Sequence, residues 1–477
     1  MHSATRKTPR GYFVILVLVF SAVFLTLISA LAGYIFVEKR SQLAKENREK
    51  ALHLAEAGLE YYRWFLAHFP DDLQNGTGIP GPYEHLVSDP EGGTLGTFSL
   101  NVTGEEFCGA LASVEIESTG WTAADPSLTR TVSASYTRPN IAEFSHIVDS
   151  NVWAGDDRVI SGPYHSNQGV RMDGTHNATV SSGVTSWTCT SSFGCIGSQT
   201  VDGVFGNGGP AELWKFPVPQ VDFAGITLDF DTLEGFARNN GGIFYGQAGG
   251  QSNRRGYHAV FNADGTVTLY RVTNTDSVYS YQPDFAKWDT EYPIISNQVL
   301  LGTFDIPDTC PVLFFKDRLW VEGTVSGKVV VAAAHTASPT YDSDIILNGN
   351  LTYASGSGTD GIALIAERSV LVGLVVPNEM SINGVFVAQN GHFGRNLYHT
   401  FYLSSSLDQY ATRSSLSTLG TVVSKGRVGT KWLCGGSYCS GFSQRSDAYD
   451  AQLANDPPPF LPNVSDDYTL RGWQEVN

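Results

Sequence analysis

Basic residues are scarce in this sequence. Thirty Lys and Arg stand against 47 Asp and Glu in 477 residues, a formal charge of −17. That balance argues against a nucleic-acid surface, because phosphate neutralisation needs clustered Lys and Arg. Charge of either sign is thin, at 16%, against 42% hydrophobic residues. So little charge excludes a disordered chain or a coiled-coil rod. Catalytic signatures are missing too. There is no His-Glu-x-x-His, no Gly-x-Ser-x-Gly and no Gly-x4-Gly-Lys-Ser/Thr, so three common chemistries lack their local motif. What is plentiful is glycine, 50 residues, with 21 Tyr and 26 Phe. This is the texture of a turn-rich β protein, and the length suits two to four domains.

Six cysteines are present. Cys189/Cys195 and Cys434/Cys439 are spaced C-x5-C and C-x4-C, unlike the paired C-x2-C of a zinc site. In an oxidising compartment they read as two local disulfides; Cys108–Cys310 is carried as a further pair.

Residues 11–37 hold no charged side chain. These 27 residues exceed the ~20 that cross a bilayer as a helix, and a signal-peptide core is shorter. Ala30-Leu31-Ala32 imitates a signal cleavage site, but the apolar run continues to Val37, which favours a retained anchor. Arg6, Lys7 and Arg10 precede the run with no acid among residues 1–10, which favours a cytoplasmic N-terminus and an exterior location for the rest. The helical pattern continues past the span. From Glu38 to Phe69 there is no Pro and Gly58 is the only Gly. Ala51, Leu54, Ala55, Gly58, Leu59, Tyr62, Phe65 and Leu66 form one apolar stripe at a 3.6-residue period. Pro70 is the expected stop.

The basic leader, the Arg10-Gly11 step, the uninterrupted apolar helix and Ala55-Glu-Ala-Gly-Leu-Glu-Tyr61 together resemble the stem of PilX-like type IV minor pilins and of GspK-type pseudopilins. The resemblance implies cleavage by a prepilin peptidase after Gly11, leaving Tyr12 as the first mature residue. Major pilins carry Glu at the fifth mature position, where this chain has Leu16. GspK-type subunits also lack that Glu, so Leu16 suits a tip or minor subunit.

Beyond the stem, Thr94–Val102, Ala110–Glu117 and Thr129–Tyr136 read as three strands of a small antiparallel sheet, with Ser118-Thr119-Gly120 as a turn. From Ile147 onward, apolar segments of three to seven residues alternate with Gly, Asn and Ser, as in Val159-Ile160, Ile362–Ala366 and Val370–Val376. No strict period emerges. Short strands between turns favour a parallel β-solenoid with irregular rungs; a β-sandwich is the alternative. Residues 211–310 differ. They carry a short helix after Asp229-Phe230-Asp231 and a hairpin through Asn262-Ala-Asp-Gly265.

The fold expected is therefore mainly β: a long N-terminal helix with a small antiparallel sheet, then a β-solenoid-like head carrying an α+β insertion. Its parts are a leader at 1–10, a transmembrane helix at 11–37, an amphipathic stem at 38–70 and a small sheet at 71–145. The head runs through 146–210 and 311–430 with the insertion at 211–310. Residues 431–477 form a disulfide loop and a Pro-rich strap.

The search for chemistry returns bland readings. Gly356-Ser-Gly-Thr-Asp-Gly361 fits the dinucleotide pattern, but an apolar strand follows where a helix is required. His165 and Ser166 are neighbours on a strand and point to opposite faces. Asp229 and Asp231 read as a helix N-terminus rather than a calcium loop. Arg254, Arg255 and Arg318 are the bases a polysaccharide-cleaving site would draw on. Asn-x-Ser/Thr occurs at Asn75, Asn101, Asn177, Asn350 and Asn463. The reading is a non-enzymatic, membrane-anchored pilin-like subunit with no cofactor and no metal. Its partners would be other pilin subunits, the pilus assembly machinery and a surface ligand. The rivals are an anchored β-solenoid polysaccharide enzyme and a single-pass surface protein outside any filament.

Overall fold

The computed structural model describes residues 11–69, 72–223, 230–251, 254–335, 343–356, 358–464 and 469–476. The basic leader, Pro70, Asp229 and Ser357 lie outside the described residues. The chain divides into two compact units. One holds the N-terminal helix, residues up to 103, 114–136 and the C-terminus from 470; the other holds 104–113 and 137–469.

In the first unit, one helix runs from Gly11 to His68. Its 58 residues span about 87 Å at 1.5 Å per residue. Its membrane-length half is exposed throughout, with Leu25 at 64%. The other half buries the stripe read from the sequence: Ala51, Leu54, Ala55, Gly58, Leu59, Tyr62, Phe65 and Leu66 are all buried. The stripe packs on an antiparallel sheet ordered Tyr83–Ser88, Thr94–Phe107, Ala110–Thr122, Thr129–Thr137 and Thr469–Val476.

Two expectations are corrected here. Gly120 is not a turn. It lies inside the strand Ala110–Thr122, opposite Arg130. A Cβ there would fall 2.3 Å from the carbonyl oxygen of Ala51 and 2.4 Å from the amide nitrogen of Ala55. Glycine at this position lets strand and helix backbones touch. The second correction concerns the C-terminus. Residues 457–462 do run without regular structure and bury Pro458, Pro459, Leu461 and Pro462. Beyond them, however, Thr469–Val476 is the fifth strand of the sheet, and Arg130 pairs with Glu475.

The second unit is a stack of parallel strands. In spatial order the first six are Ile243–Tyr245, Val312–Phe315, Lys328–Ala333, Gly361–Ala366, Glu379–Ala388 and Thr412–Ser424. His146–Val148, Tyr164–Ser166, Val180–Ser182 and Trp214–Lys215 continue it. The chain thus enters the stack in the middle at His146 and builds to one end at Lys215. It re-enters at the other end with Ile243 and returns to close on its own first strand, where Val423 lies opposite Ile147.

Aligned apolar side chains hold the rungs. Leu313, Val331, Leu364, Phe386 and Val422 stack in register on one face. Phe314, Ala332, Ile365, Val387 and Val423 stack on the other. The second ladder is covered by Phe230, Leu233 and Ala237 of the helix Phe230–Asn239 and by Leu453. Burial on both faces explains why these strands read as unbroken apolar runs. Each such side chain contributes about 1.5–3 kcal/mol on leaving water.

Antiparallel pairing is added on the stack by Lys431–Cys434, which pairs with Ser437–Ala448, and by a longer set of strands. Gly256–Phe261 pairs with Thr266–Gln282, with Phe261 opposite Val267, around the Asn262–Gly265 turn. Thr266–Gln282 then pairs along most of its length with Lys287–Asp305.

Candidate functional site: the stem and the polar clusters of the head

The stem presents two surfaces with opposite chemistry. Tyr12–Val37 is apolar on every side and is left exposed by the described residues. Its helix is long and apolar enough to cross a membrane. Ala51–Leu66 is committed to the sheet. Besides Gly120, a Cβ at Gly96 would strike Trp121 and Leu54, and one at Gly58 would lie 2.2 Å from Ser118 Oγ. Tyr136 donates its hydroxyl to the Leu59 carbonyl at 2.6 Å. Small residues at three contact points allow this close seating. The helix therefore has one fixed half and one exposed half. Gly11 and Tyr12, the residues on either side of the expected cleavage, sit at its start.

The six cysteines form three disulfides: Cys189–Cys195, Cys434–Cys439 and Cys108–Cys310. The two local bridges close small loops, whereas Cys108–Cys310 joins positions 202 residues apart within the second unit. Long loops restrict the unfolded chain most, so this bridge is expected to stabilise by ~4–5 kcal/mol and each local one by ~2–3 kcal/mol. Replacing both Cys108 and Cys310 by Ser should lower the melting temperature of the second unit more than either local double replacement does. Calorimetry of the three variants checks the order; equal shifts would contradict it.

The residues considered for catalysis are not brought together. His165 Nδ1 faces Ser181 Oγ and Nε2 faces Asn167 Oδ1, each at 2.9 Å, while Ser166 donates to the carbonyl of Ser150. Gly356 lies in the connection after the strand Ile345–Tyr353, and Gly361 opens the strand Gly361–Ala366 where a helix would be required. Asp360 there accepts from the Gly327 amide, which makes it a turn fastener. Asp231 lies in the first turn of its helix. Among the described residues, no group of three His, Cys, Asp or Glu could hold a metal ion.

Ionic clusters with at least one buried partner recur in the head, among them those around Asp447, Asp157 and Asp284. Arg158 pairs with Asp447 at 2.6 Å and approaches His146 Nε2 at 3.1 Å. Asp157 binds Arg445 at 2.7 Å and Lys431 at 3.1 Å. Asp284 accepts from His392 Nδ1 at 2.6 Å and Ser369 Oγ at 2.7 Å. Ser369 Oγ accepts from the His392 backbone amide at 3.0 Å and donates to the Asp284 carboxylate, while the His392 imidazole turns its Nδ1 to that same carboxylate. For all three aspartates burial pushes the carboxyl up, but hydrogen bonds and cationic neighbours outweigh it and hold the group below its ordinary range. Burial pushes His146 down to about 3, against the attraction of Asp447.

These shifts set a pH dependence. Below about pH 6.5 the unfolded chain protonates the residue-146 imidazole while the native state keeps it neutral. Stability should then fall by up to ~1.4 kcal/mol per pH unit from this group alone. Below about pH 4 the depressed aspartates add their own loss, because the unfolded carboxylates bind protons first. Denaturant melts between pH 7 and pH 3 are the check, and His146→Gln should flatten the upper part of the profile. A profile already flat in the parent protein would contradict the assignment.

No family model matches the chain, and no curated protein matches it significantly. One solved structure is similar along nearly its whole length. It is the competence-associated pilin ComZ from Thermus thermophilus, with 12% identity and a TM-score of 0.29, covering 90% of this chain and 97% of that one. A TM-score that low carries no argument, so the functional reading below rests on the stem.

Reading the sequence left one feature of the head unseen. Arg318 was named as a candidate base, and it lines a cavity together with Asp284, Glu291, Asp344, Arg368 and Asn396. These positions are scattered over more than a hundred residues and share no motif. The only local signal was the chain's most hairpin-like stretch, which leads into one wall.

Proposed function

We propose that this protein is a non-enzymatic pilin-like subunit, of the minor-pilin or pseudopilin kind resembling the PilX and GspK families. In this reading it is held in the cytoplasmic membrane by residues 11–37 and enters a type IV or related filament through the same helix. The carrying observation is the divided stem. One continuous helix has its C-terminal half seated on a sheet by Gly58, Gly96 and Gly120 and its N-terminal half apolar all round and uncovered. An ordinary anchor needs only the second feature. A helix that is also built rigidly into a folded unit transmits a fixed register, which suits lateral packing against similar helices. Cleavage after Gly11 by a prepilin peptidase and an exterior location for the disulfide-bearing unit belong to the same proposal. The size of the second unit suits a tip or minor subunit better than a repeating one.

The test is site-specific photo-crosslinking from Leu18 and Ile28 in membranes of the native cell. Adducts whose second component, by mass spectrometry, carries the same kind of apolar N-terminal helix support the reading. Adducts to lipid alone favour the single-pass rival. The enzyme rival is tested alongside: a polysaccharide cleaved by the parent protein but not by a His165→Ala, Ser166→Ala double variant would replace this proposal.

A further inference from the structure

A cavity of about 250 Å³ opens in the second unit, walled by the strands Thr266–Gln282 and Lys287–Asp305 and by side chains of the rungs. Its polar groups are arranged in a balanced way. Asp344 pairs with Arg368, Nε to Oδ1 at 2.8 Å. Asp284 is held by His392 and Ser369. Arg318 donates to the Tyr292 carbonyl at 3.3 Å. Glu291 accepts from Asn396 Nδ2 at 2.5 Å, with the hydroxyls of Tyr398 and Ser280 also close to its carboxyl, whose Oε1 is sealed from solvent. Arg368 thus faces Asp344, Arg318 stands near Glu291, and burial pushes the Glu291 carboxyl up. The charged groups of the lining are engaged with one another and with neighbouring polar groups, so none is offered whole to an anion or a cation. Donors and acceptors stand beside apolar wall from Ile346, Leu371 and Val372.

Aromatic rings stand next to this lining, with Tyr279 opposite the lining residue Thr290 in the strand pairing. Phe285, half-exposed, lines the mouth. On the same hairpin, Trp288 stacks on Tyr279 with ring centres 5.8 Å apart and lies 4.8 Å from Tyr402. Tyr402 and its neighbour Phe401 are exposed, Phe401 at 80%. Exposed rings braced against one another give an apolar surface at little side-chain entropy cost. A ligand matching both parts has apolar C–H faces, a ring of hydroxyls and no charge. A volume just under the ~300–1,000 Å³ of drug-sized sites accommodates one such ring.

We infer that this cavity and its aromatic rim bind a neutral saccharide, one residue inside and the next over the rim. The inference concerns the second unit alone and does not depend on the stem's role.

The test is saturation-transfer NMR on the detergent-solubilised full chain. The probes are glucose, galactose, N-acetylglucosamine and their β-1,4 disaccharides, with glucuronate, glucosamine and an unrelated soluble peptide as competitors. The expected result is transfer to at least one neutral sugar, weakened tenfold or more by Phe285→Ala and by Thr290→Trp, which fills the mouth. Both positions are exposed, so melting curves should stay at the parent value. Asn396→Ala, which frees the Glu291 carboxyl of this donor, should weaken binding as well. No transfer to any neutral sugar overturns the inference. So does binding that Phe285→Ala and Thr290→Trp leave unchanged, or a preference for glucuronate, glucosamine or the peptide.

Discussion

Leu25→Lys should remove most of the protein from the membrane. Leu25 sits near the middle of the apolar run and is exposed on the helix, and its helical neighbours among the described residues carry no acid to pair with an ammonium there. A Lys at the bilayer centre costs ~2.5–3.5 kcal/mol on insertion scales, and losing the leucine costs a few tenths more. That corresponds to about a 100-fold shift in partitioning. Snorkelling offers little relief, because the interface is some 15 Å away on either side of a ~30 Å core. Alkaline carbonate extraction of membranes should show the variant in the supernatant or degraded, with Leu25→Ile still in the pellet. A variant that stays fully integrated would mean that residues 11–37 do not cross the hydrocarbon core.

Leu59→Asp should detach the sheet from the stem. Leu59 is 1% exposed in the centre of the buried stripe. Truncating such a leucine costs about 2–5 kcal/mol through lost burial and the cavity left behind. A buried carboxyl without a partner adds roughly 1–3 kcal/mol even when protonated. The sum approaches the whole stability of a small domain, which is about 5–15 kcal/mol. Limited proteolysis should then cut within 72–136, while the second unit keeps its own protease-resistant pattern. Leu59→Met, close in volume, should behave as the parent protein. An unchanged digestion pattern in Leu59→Asp would refute the helix-on-sheet packing.

The stem was legible because a helix writes its contacts locally. Eight apolar residues between Ala51 and Leu66 recur at one period, and the same eight are buried. The parallel rungs were legible as texture, since strands covered on both faces are apolar without alternation. Their order was not. Nothing near Ile147 signals that its neighbour is Val423, because stacking partners are set by the path of the chain and not by local propensity. The strand Thr469–Val476 was hidden for the same reason. It joins a sheet whose other strands lie more than 300 residues earlier. Gly120 was misread because glycine after Ser118-Thr119 signals a turn, whereas here it serves close backbone approach inside a strand. The cavity beside Glu291 is a product of the fold, drawn from the hairpin and from rungs far apart in sequence.

The central claim is that the N-terminal helix places this chain in a filament. The most direct measurement is intact-mass and N-terminal mass spectrometry of filaments sheared from native cells and freed of membrane. The account predicts that the chain co-purifies with pilin subunits and begins at Tyr12. Its absence from the sheared fraction, with an uncut chain remaining in the membrane, would contradict it.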